Sequence, residues 1–457
     1  MKHFLRLMLG LLSPAVFAAT LSREDLSRAI APYLAADAVR AVSVGVVQGQ
    51  EVATAHAGTL SGDVDRPPDE RTLYEIGSVT KVFTALLLAE AVVRDEVELD
   101  TPVARLLPED VVLPEGAGEK ITLRMLATHT SGLPRVPPEI PQDDYRDPYA
   151  AYGEAALWAT LRQVKLDFPP GTRASYSNLA VGLLGTLLAR RADRTYAALL
   201  SERITEPLGL KDTVLTLSPE QRERLAPPHN GAGQRWTSWG CQALAGAGGI
   251  RSTLADLLRF ARAMLQPEGT PLQRAIELGW AKQDLSATLA PGGQALGWFL
   301  AGDGSTRWHN GVTGGYHAAI FVHRPLGLAS VVLANRSTPA GSELAEVLMR
   351  RAAGLPERAV PNATRPTVAL TAAQLDRCTG TFRINPSFAL VIERRNDALF
   401  VSPTGQATDR LYAAAPDAFF SRRVAADLVF ELPDGTGPAT ALTLHQSGRS
   451  IRAVREP

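Results

Sequence analysis

The sequence has few cysteines and few lysines, and neither sign of charge is in excess. Its 457 residues include two cysteines, Cys241 and Cys378, which lie far apart in the chain. In an oxidising compartment the two thiols can pair, and the alternative is that both stay buried and unpaired; neither case gives a disulfide framework. Neither cysteine stands in a motif with histidine that would make it a nucleophile or a zinc ligand. We therefore expect no metal site and no cofactor.

The charge balance and the lack of long apolar runs exclude two classes of partner. The 47 basic residues balance the 47 acidic residues, which gives a formal net charge of zero. No overall field draws nucleic acid or an acidic membrane surface to the protein, so we expect neutral or locally charged small molecules as partners and no nucleic acid. Beyond residue 18 no segment has the roughly 20 uninterrupted apolar residues of a spanning helix, so no stable membrane span is predicted.

The first 18 residues have the pattern of a secretory signal. Lys2 and Arg6 supply positive charge, residues 7–12 are apolar, and residues 16–18 end in a small-residue cleavage site. The apolar part is too short to cross a bilayer. We predict cleavage after Ala18 and a secreted, periplasmic protein; a retained anchor is the alternative.

The chain alternates between segments with strand periodicity and segments with helix periodicity. Most of the chain between residues 58 and 296 is helical in pattern, including 149–166, whereas 243–249 is rich in small residues and is predicted to be flexible. The simplest arrangement is an α+β fold with one antiparallel sheet that is flanked by helices. The strands of this sheet come from both ends of the strand–helix–strand–helix part of the chain, and an all-helical insertion lies between them in sequence. Strands are predicted at 41–47, 51–58, 296–300, 307–310, 318–322 and 329–334.

The pattern changes after residue 354, and the length of the chain suits two or three domains. Residues 355–369 carry prolines without periodicity and are predicted to be a linker. Residues 370–457 contain short alternating runs that predict a small all-β domain, either a barrel or a sandwich. Residues 19–354 then form the main domain. The C-terminal domain could cover the cleft, hold chains together, bind cell wall or only stabilise the chain.

We expect the rest of the chain to be organised around residues 74–94, YEIGSVTKVFTALLLAEAVVR. Residues 82–93 are apolar over a helical length, and a helix that is apolar nearly all round is buried. Ser78, which can cap or open this helix, and Lys81 fall one turn apart on one face. Burial lowers the proton affinity of an amine, which is one way to activate a serine without histidine. The alternative is a capped helix with a lysine whose amine reaches solvent.

Two further groups have residue types that suit the same chemistry. Tyr176, Ser177 and Asn178 place a phenol and an amide two residues apart, in a turn before an apolar helix. Residues 309–315, HNGVTGG, predict a strand whose glycines let a substrate backbone approach closely. A lone S-x-x-K match is weak, because about one chance match is expected in a chain of this length. Here the chain has six lysines, and the Ser78 segment is its sole match.

With these three groups in order, the chain resembles the serine β-lactamase and penicillin-binding protein superfamily, most closely its class C β-lactamase branch. The matching motifs are residues 78–81, 176–178 and 309–311, within a similarity that spans roughly residues 25–353. The resemblance implies that Ser78 is the acylated nucleophile. It also implies that Lys81 and Tyr176 share the proton relay.

The resemblance further implies a substrate site beside the nucleophile. Asn178 would orient Lys81 and the substrate amide, and the backbone N–H groups of Ser78 and Val312 would form an oxyanion hole. The implied substrates are β-lactams first, and D-alanyl-D-alanine peptides or small esters second. A penicillin-binding sensor that is acylated without turnover is the alternative outside the enzymes. Substrate contacts would come from Asn178, His309, Gly311, Val312 and Thr313.

Two positions depart from the pattern of that branch. Its third motif usually carries a lysine whose permanent charge binds a substrate carboxylate, and His309 stands there instead. A histidine is only partly protonated near neutral pH, which favours peptides or esters as substrates. The branch also tends to have a glutamine after the Leu-Pro of its loop, where this chain has Arg135 and Val136. We expect these changes to weaken cephalosporin hydrolysis but not acyl transfer itself.

The histidines also have structural interpretations. His129 is predicted to brace its loop rather than to titrate in catalysis. His317 and His323 alternate with apolar residues on what we expect to be a strand surface. His309 can likewise be a structural histidine of its strand, and residues 176–178 can be an ordinary Asx turn before a helix. No metal site is predicted from them.

Overall fold

The computed structural model describes residues 20–61, 66–140, 146–356, 365–385, 388–404, 408–422, 426–433, 437–446 and 449–456. The predicted secretory signal, residues 1–18, and residues 357–364 of the predicted linker lie outside the described residues.

An antiparallel sheet forms the centre of the chain before the linker. This part of the chain has nine strands in the described residues: β1 Ala41–Gln48, β2 Glu51–Gly58, β3 Tyr74–Glu75, β4 Arg251–Ser252, β5 Gln294–Ala295, β6 Trp298–Leu300, β7 Thr306–Val312, β8 His317–His323 and β9 Leu328–Ala334. Strands β3 and β4 pair with each other, apart from the central sheet. The strand order in this seven-stranded sheet is β2-β1-β9-β8-β7-β6-β5. The first hairpin therefore pairs with the last strand of the unit, as an arrangement built from both ends requires.

The helices lie before, within and after the sheet in sequence. They are α1 Arg23–Ala35, α2 Thr80–Val93, α3 Ala117–Lys120, α4 Leu123–Ala127, α5 Glu154–Gln163, α6 Asn178–Arg191, α7 Tyr196–Leu200, α8 Pro219–Arg224, α9 Ala245–Gly248, α10 Leu254–Leu265, α11 Gln273–Trp280, α12 Ala340–Ala352 and α13 Ala372–Asp376. Helices α2 to α11 form the insertion between the second strand and the later strands of the sheet.

Both faces of the sheet are covered by helices, and all residues of β9 are buried as a result. On one face, Leu26 of α1 and Leu344 of α12 share a core with Val332. On the other face, Val331 belongs to a larger core that includes Phe260 of α10. Successive residues of a strand point to opposite faces, so β9 contributes to both cores.

Helix α2 lies inside the larger core, and residues 80–91 are buried. Phe83 stacks on Phe260 of α10 with ring centroids 4.3 Å apart. A 3₁₀ turn, Gly77–Val79, precedes the helix, and the N-cap residue makes no side-chain hydrogen bond. Ser78 therefore opens the helix without capping it, which leaves its hydroxyl available to other groups.

The predicted α+β class is confirmed, but two segments of the insertion differ from the prediction. The helix predicted at 149–166 is limited to α5, and Tyr149 lies in a turn before it. The prediction that 243–249 is flexible is wrong, because this segment forms a 3₁₀ turn followed by α9. A Cβ on Gly246 would lie 3.1 Å from the Cα of Gly185 in α6. The small residues here allow two helices to pack closely.

The chain after the linker forms a closed barrel, which decides between the two all-β arrangements that the sequence leaves open. Phe382 and Phe419 each meet Phe430 edge to face, with ring centroids 5.5 Å apart. These side chains fill the barrel interior, so the barrel is a packed core. Its strands are β10 Gly380–Asn385, β11 Phe388–Arg395, β12 Ala398–Pro403, β13 Asp409–Ala413, β14 Ala418–Ser421, β15 Ala426–Glu431, β16 Ala441–Gln446 and β17 Arg449–Arg455.

Cys241 and Cys378 are free thiols, and both are buried. The alternative in which they form a disulfide is therefore wrong. In the described part of the chain, no helix combines the length and the hydrophobicity that a bilayer crossing requires.

Candidate active site

Ser78 and Lys81 meet at the start of α2. The Lys81 side chain is 1% exposed, and its Nζ lies 2.9 Å from Ser78 Oγ. The same nitrogen donates to Asn178 Oδ1 at 2.9 Å and to the carbonyl oxygen of Ala247 at 2.6 Å. The turn that leads into α2 places the two side chains on one face, as their spacing predicts. The alternative in which the amine reaches solvent is wrong, because the amine is buried and hydrogen-bonded.

Tyr176 and Asn178 reach this pair from the start of α6. Ser177 caps that helix through its side chain, which accepts from the backbone of the first turn. His129 Nδ1 accepts from the Ser177 nitrogen at 3.2 Å, and its ring centroid lies 4.4 Å from that of Tyr176. The backbone N–H of Asn178 donates to the backbone carbonyl oxygen of Arg135 at 2.7 Å. The loop that contains His129 and Arg135 therefore positions the second motif, and His129 braces it.

Strand β7 brings the third motif against Ser78 through a glycine. A Cβ on Gly311 would lie 1.9 Å from the Ile76 carbonyl oxygen and 2.7 Å from the Ser78 nitrogen. Only glycine fits there, and the chain's own backbone fills the space that the sequence suggested for substrate. A Cβ on Gly77 would lie 2.8 Å from the Val312 nitrogen. The backbone nitrogens of Ser78 and Val312 therefore lie on neighbouring segments that line one cleft.

His309 is 1% exposed and lies inside β7. Its Nδ1 lies 2.6 Å from the carbonyl oxygen of Asn310, which requires a proton on Nδ1, and within the described residues Nε2 has no hydrogen-bond partner. Burial, and to a smaller extent the neighbouring Lys81 amine, lowers the pKa of His309 to about 3. The expectation that His309 is partly protonated near neutral pH is wrong, because a buried imidazole next to an amine stays neutral.

Asn310 and His317 are both held by α12. Asn310 Nδ2 donates to Ser342 Oγ at 3.0 Å, and His317 Nε2 lies 2.8 Å from the same oxygen. His317 is 1% exposed, so its predicted place on a strand surface is wrong. The physical reason is that α12 covers this part of β8, where a Cβ on Gly341 would lie 2.5 Å from the His317 ring. His323, at the other end of β8, is partly exposed.

An aromatic wall beside Ser78 was not indicated by any sequence pattern. The rings of Tyr149 and Trp239 meet edge to face with centroids 5.4 Å apart. The Tyr149 hydroxyl accepts from Asn178 Nδ2 at 3.2 Å, so the wall also orients the second motif. The amide of Trp239 donates to Glu75 Oε1 at 2.9 Å. The residues of this side of the cleft include Tyr149, Trp239, Cys241 and Thr313.

A buried ion pair supports this wall from below. Glu75 is 2% exposed, and its Oε1 accepts from Arg251 Nη2 at 3.1 Å. Burial raises the pKa of Glu75, and the charge of Arg251 opposes that shift. Burial raises the pKa of Cys241 to about 12, so this thiol is no competing nucleophile. Thr313 is buried beside this ion pair, and its side chain interacts with the Glu75 carboxylate.

Burial decides the protonation of the two groups that contact Ser78. It lowers the pKa of Lys81 well below the usual value, and the charge of Arg135 lowers it further. Burial raises the pKa of Tyr176, against the opposite effect of a hydrogen bond with Ser78. Desolvation disfavours the charged form of each group. The site therefore favours a neutral amine and a neutral phenol at the same hydroxyl.

The three sequence motifs meet around one cleft, and all three lie within the segment that a known family matches. The beta-lactamase family model matches residues 26–354. The chain belongs to the beta-lactamase family. Its match ends before the barrel, and within the described residues no group of histidine, cysteine, aspartate and glutamate side chains is suited to hold a metal ion.

Relatives of this beta-lactamase family member carry two kinds of name. The D-alanyl-D-alanine-carboxypeptidase/endopeptidase AmpH of Escherichia coli (strain K12) is 35% identical over 224 residues, which cover 49% of this chain and 57% of AmpH. A beta-lactamase of Pseudomonas fluorescens is 28% identical over 354 residues, which cover 70% of this chain and 95% of that protein. The match to AmpH thus spans little more than half of AmpH.

A solved structure has a similar fold. The beta-lactamase/D-alanine carboxypeptidase from Yersinia pestis, crystallised with citrate, superposes with a TM-score of 0.63 at 27% sequence identity. The superposition covers 72% of this chain and 98% of the Yersinia chain. Nearly the whole of that protein therefore corresponds to a part of this one.

Proposed function

We propose that the protein is a serine hydrolase in which Ser78 forms an acyl-enzyme with an activated amide or ester. The observation that carries the proposal is the set of contacts around Lys81 Nζ. A neutral amine has two N–H donors and one lone pair. The oxygens of Asn178 and Ala247 only accept, so they take both donors. The lone pair is then left for the Ser78 hydroxyl, which makes Lys81 the base.

In the proposed acylation, Ser78 Oγ attacks the carbonyl carbon while Lys81 takes its proton. The bond to the leaving nitrogen or oxygen then breaks, and Tyr176 donates a proton to the leaving group. Its raised pKa supports this role, because the phenol carries its proton at rest. Lys81 then returns its proton to the Tyr176 phenolate. Water attacks the ester carbonyl and gives a proton to Lys81; as the ester bond breaks, that proton passes to Ser78 Oγ, which releases the acid and restores both the hydroxyl and the neutral amine.

The proposed oxyanion hole consists of the backbone N–H groups of Ser78 and Val312. Support comes from the close approach of β7 to the Gly77–Val79 turn, which depends on Gly311 having no side chain. Backbone donors held in this way stabilise the tetrahedral intermediate, and the loss of one such donor costs about 10² to 10³ in rate. We also propose that the side chain of Asn178 binds the substrate amide. Its Nδ2 donates a hydrogen bond to the Tyr149 hydroxyl, which fixes the orientation of the side-chain amide.

β-Lactams are the first proposed substrates, since strain activates their amide for this chemistry and several relatives are named beta-lactamases. D-Alanyl-D-alanine peptides or small esters are the second candidate. The neutral, buried His309 favours the small esters, because it leaves the third motif without the positive charge that suits a substrate carboxylate. The relative named a D-alanyl-D-alanine-carboxypeptidase/endopeptidase supports the peptides. We also propose export to the periplasm on the basis of residues 1–18, with the barrel as a stabilising appendage.

Parallel turnover assays test the proposed function. We expect nitrocefin, a D-alanyl-D-alanine peptide or p-nitrophenyl butyrate to be hydrolysed with repeated turnover, because water can reach the partly exposed Ser78. The measurement is product formed per protein molecule over time. A single stoichiometric burst of nitrocefin with no further product would instead support a sensor that is acylated without turnover. Absence of any Ser78-dependent product would overturn the proposal.

The pH dependence of a neutral ester follows from Lys81. We expect kcat/KM for p-nitrophenyl butyrate to rise as Lys81 loses its proton, with a midpoint below the usual lysine value of 10.5, because burial and Arg135 lower the pKa of Lys81. The test is a profile from about pH 5 to about pH 10, with the spontaneous rate subtracted. A midpoint at or above the usual value would contradict a desolvated base.

The lowered pKa of Lys81 also makes the stability of the folded protein depend on pH. The direction follows from which state, folded or unfolded, binds the proton more tightly. The unfolded chain binds the Lys81 proton more tightly than the folded chain, since the folded-state pKa is the lower one. The Lys81 contribution to the free energy of unfolding therefore rises with pH between the folded-state pKa and the usual value. Chemical denaturation of the protein and of Lys81→Met across this window isolates that contribution.

A further inference from the structure

Arg135 places an exposed cation beside the reactive groups. Its guanidinium carbon lies 5.2 Å from the centroid of the Tyr176 ring, and Lys81 Nζ lies 4.9 Å from the same centroid. The backbone carbonyl oxygen of Arg135 accepts a hydrogen bond from the backbone N–H of Asn178 at 2.7 Å. The face of an aromatic ring attracts a cation, so Tyr176 fixes the direction of the side chain. The guanidinium is thus held beside the proposed proton relay by the Arg135 main chain and by the Tyr176 ring.

The guanidinium of Arg135 is available to a ligand in the part of the chain that the structure describes, although its charge also lowers the pKa of Lys81. The residue is exposed, and its guanidinium forms no hydrogen bond and no ion pair with a described residue. By contrast, Arg251 beneath the aromatic wall is paired with Glu75 at 3.1 Å. A free guanidinium offers a fork of N–H donors that matches the two oxygens of a carboxylate.

The other basic groups of the cleft cannot supply a positive charge to a substrate. The Lys81 amine is buried, and its contacts with Ser78, Asn178 and Ala247 occupy it fully. His309 is buried and neutral, with its Nδ1 proton directed at its neighbour's carbonyl oxygen. A substrate carboxylate in this cleft would therefore lack a cationic partner at the third motif.

We propose that Arg135 is a specificity-determining residue that binds a carboxylate of the substrate. The site then prefers carboxylate-bearing acyl donors, although a neutral histidine occupies the third motif. This inference rests on the proposed function, because it assigns a substrate class to the same acyl-enzyme site. Arg135 acts on substrate binding through its guanidinium. Its effect on the pKa of Lys81 changes turnover of carboxylate and neutral substrates alike, so a comparison between the two isolates the binding role.

The test uses two matched pairs of esters with the full-length protein. In the first pair, p-nitrophenyl butyrate and mono-p-nitrophenyl glutarate share a leaving group, and only the second has a carboxylate on the acyl chain. In the second pair, phenyl acetate and 3-acetoxybenzoate share an acyl group, and only the second has a carboxylate on the leaving group. Each variant is compared with the natural chain by the ratio of kcat/KM within a pair. This ratio removes differences in intrinsic reactivity.

Arg135→Gln is expected to lower the carboxylate-to-neutral ratio of kcat/KM about tenfold in at least one pair, mainly through KM for the carboxylate ester. Because the charge of Arg135 also lowers the pKa of Lys81, each variant is measured at a pH above the midpoint of its own neutral-ester profile. Arg135→Lys keeps a charge without the fork of donors, so part of the preference should survive. Retained turnover of the neutral ester shows that Arg135→Gln is folded. Unchanged ratios in both pairs, with that turnover intact, would overturn the inference.

The matched control is Arg146→Gln. Arg146 is also exposed, and its guanidinium carbon lies 5.8 Å from the Trp236 ring centroid instead of the Tyr176 ring. We expect its ratios to stay within about twofold of the natural chain, as for a surface charge. An equal loss in Arg146→Gln would assign the preference to the general field of the surface and would also overturn the inference. If the natural chain turns over nitrocefin or the peptide but none of the four esters, the proposed function stands and the preference for carboxylate esters is overturned. If it turns over none of these substrates in a Ser78-dependent way, the proposed function and the carboxylate site both fail.

Discussion

Ser78→Ala is expected to abolish covalent labelling by a fluorescent penicillin and to lower turnover of every substrate by about 10⁴-fold or more. The alanine has no oxygen with which to form the acyl bond, while Lys81 keeps its two carbonyl partners. The fold should persist, because the Ser78 side chain is only partly buried and does not cap α2. The measurement is in-gel fluorescence, together with a thermal melt of both proteins.

The position of the adduct gives an independent check on this prediction. Trypsin cleaves after Arg71 and after Lys81, which releases residues 72–81, TLYEIGSVTK, with Ser78 as the only serine. Mass spectrometry of the labelled natural chain should find the penicilloyl mass on this peptide. Ser342→Ala is a suitable control, because Ser342 contacts Asn310 and His317 and lies outside the proposed relay. Labelling that persists in Ser78→Ala would refute the assignment of the nucleophile.

Lys81→Met is expected to slow acylation by about 10² to 10⁴ while leaving a folded protein, since general bases contribute in that range. Methionine has a similar length and no proton to exchange. The change leaves the oxygens of Asn178 and Ala247 without a donor, at about 1–3 kcal/mol each. It also removes a buried amine, which offsets part of that cost. Pre-steady-state labelling rates and a denaturant titration separate the two effects.

The matched control for this change is Lys120→Met, which removes an exposed lysine remote from the three motifs. Its labelling rate should equal that of the natural chain. If Lys81→Met also labels at a rate within about tenfold of the natural chain, the base lies elsewhere. The lone-pair argument for the Lys81 contacts would then lose its support.

Much of the fold could be predicted because its elements have strong local signals. The hairpin of β1 and β2 surrounds a short polar turn, and α2 has an apolar run too long for a strand. The short helix α9 could not be predicted in this way, since its glycines resemble those of a flexible loop. Its order comes from packing against α6, where Gly246 meets Gly185. Such packing depends on residues that are distant in sequence.

The candidate site was predictable as far as its motifs extend. Ser78, Lys81, Tyr176 and Asn178 occur in recognisable spacing, and the structure brings them into one cleft. The wall residue Tyr149 was missed, because the helical pattern of its segment concealed that it lies in a turn before α5. No local signal reports the hydrogen bond between Tyr149 and Asn178.

The protonation state of His309 also could not be predicted from the sequence. Its usual pKa suggests partial charge, but the outcome depends on complete burial and on the distance to Lys81. Both are properties of the folded chain. The same holds for Arg135, whose sequence position suggested only a departure from a family pattern. Its contact with the Tyr176 ring gave it a proposed role.

The pairing of β1 with β9, in register from Val42 opposite Ala334 to Gln48 opposite Leu328, bears on how the polypeptide matures. A chain that leaves a ribosome or a translocation pore from its N-terminus presents β1 long before its partner exists. Contacts between such distant residues form late in folding. Ser78, the proposed nucleophile, meets the strand that carries Val312 only after most of the unit has emerged. We therefore expect that Ser78 is not acylated while the chain is still being synthesised or exported. We expect it to become reactive once β1 has paired with β9 and the sheet is complete.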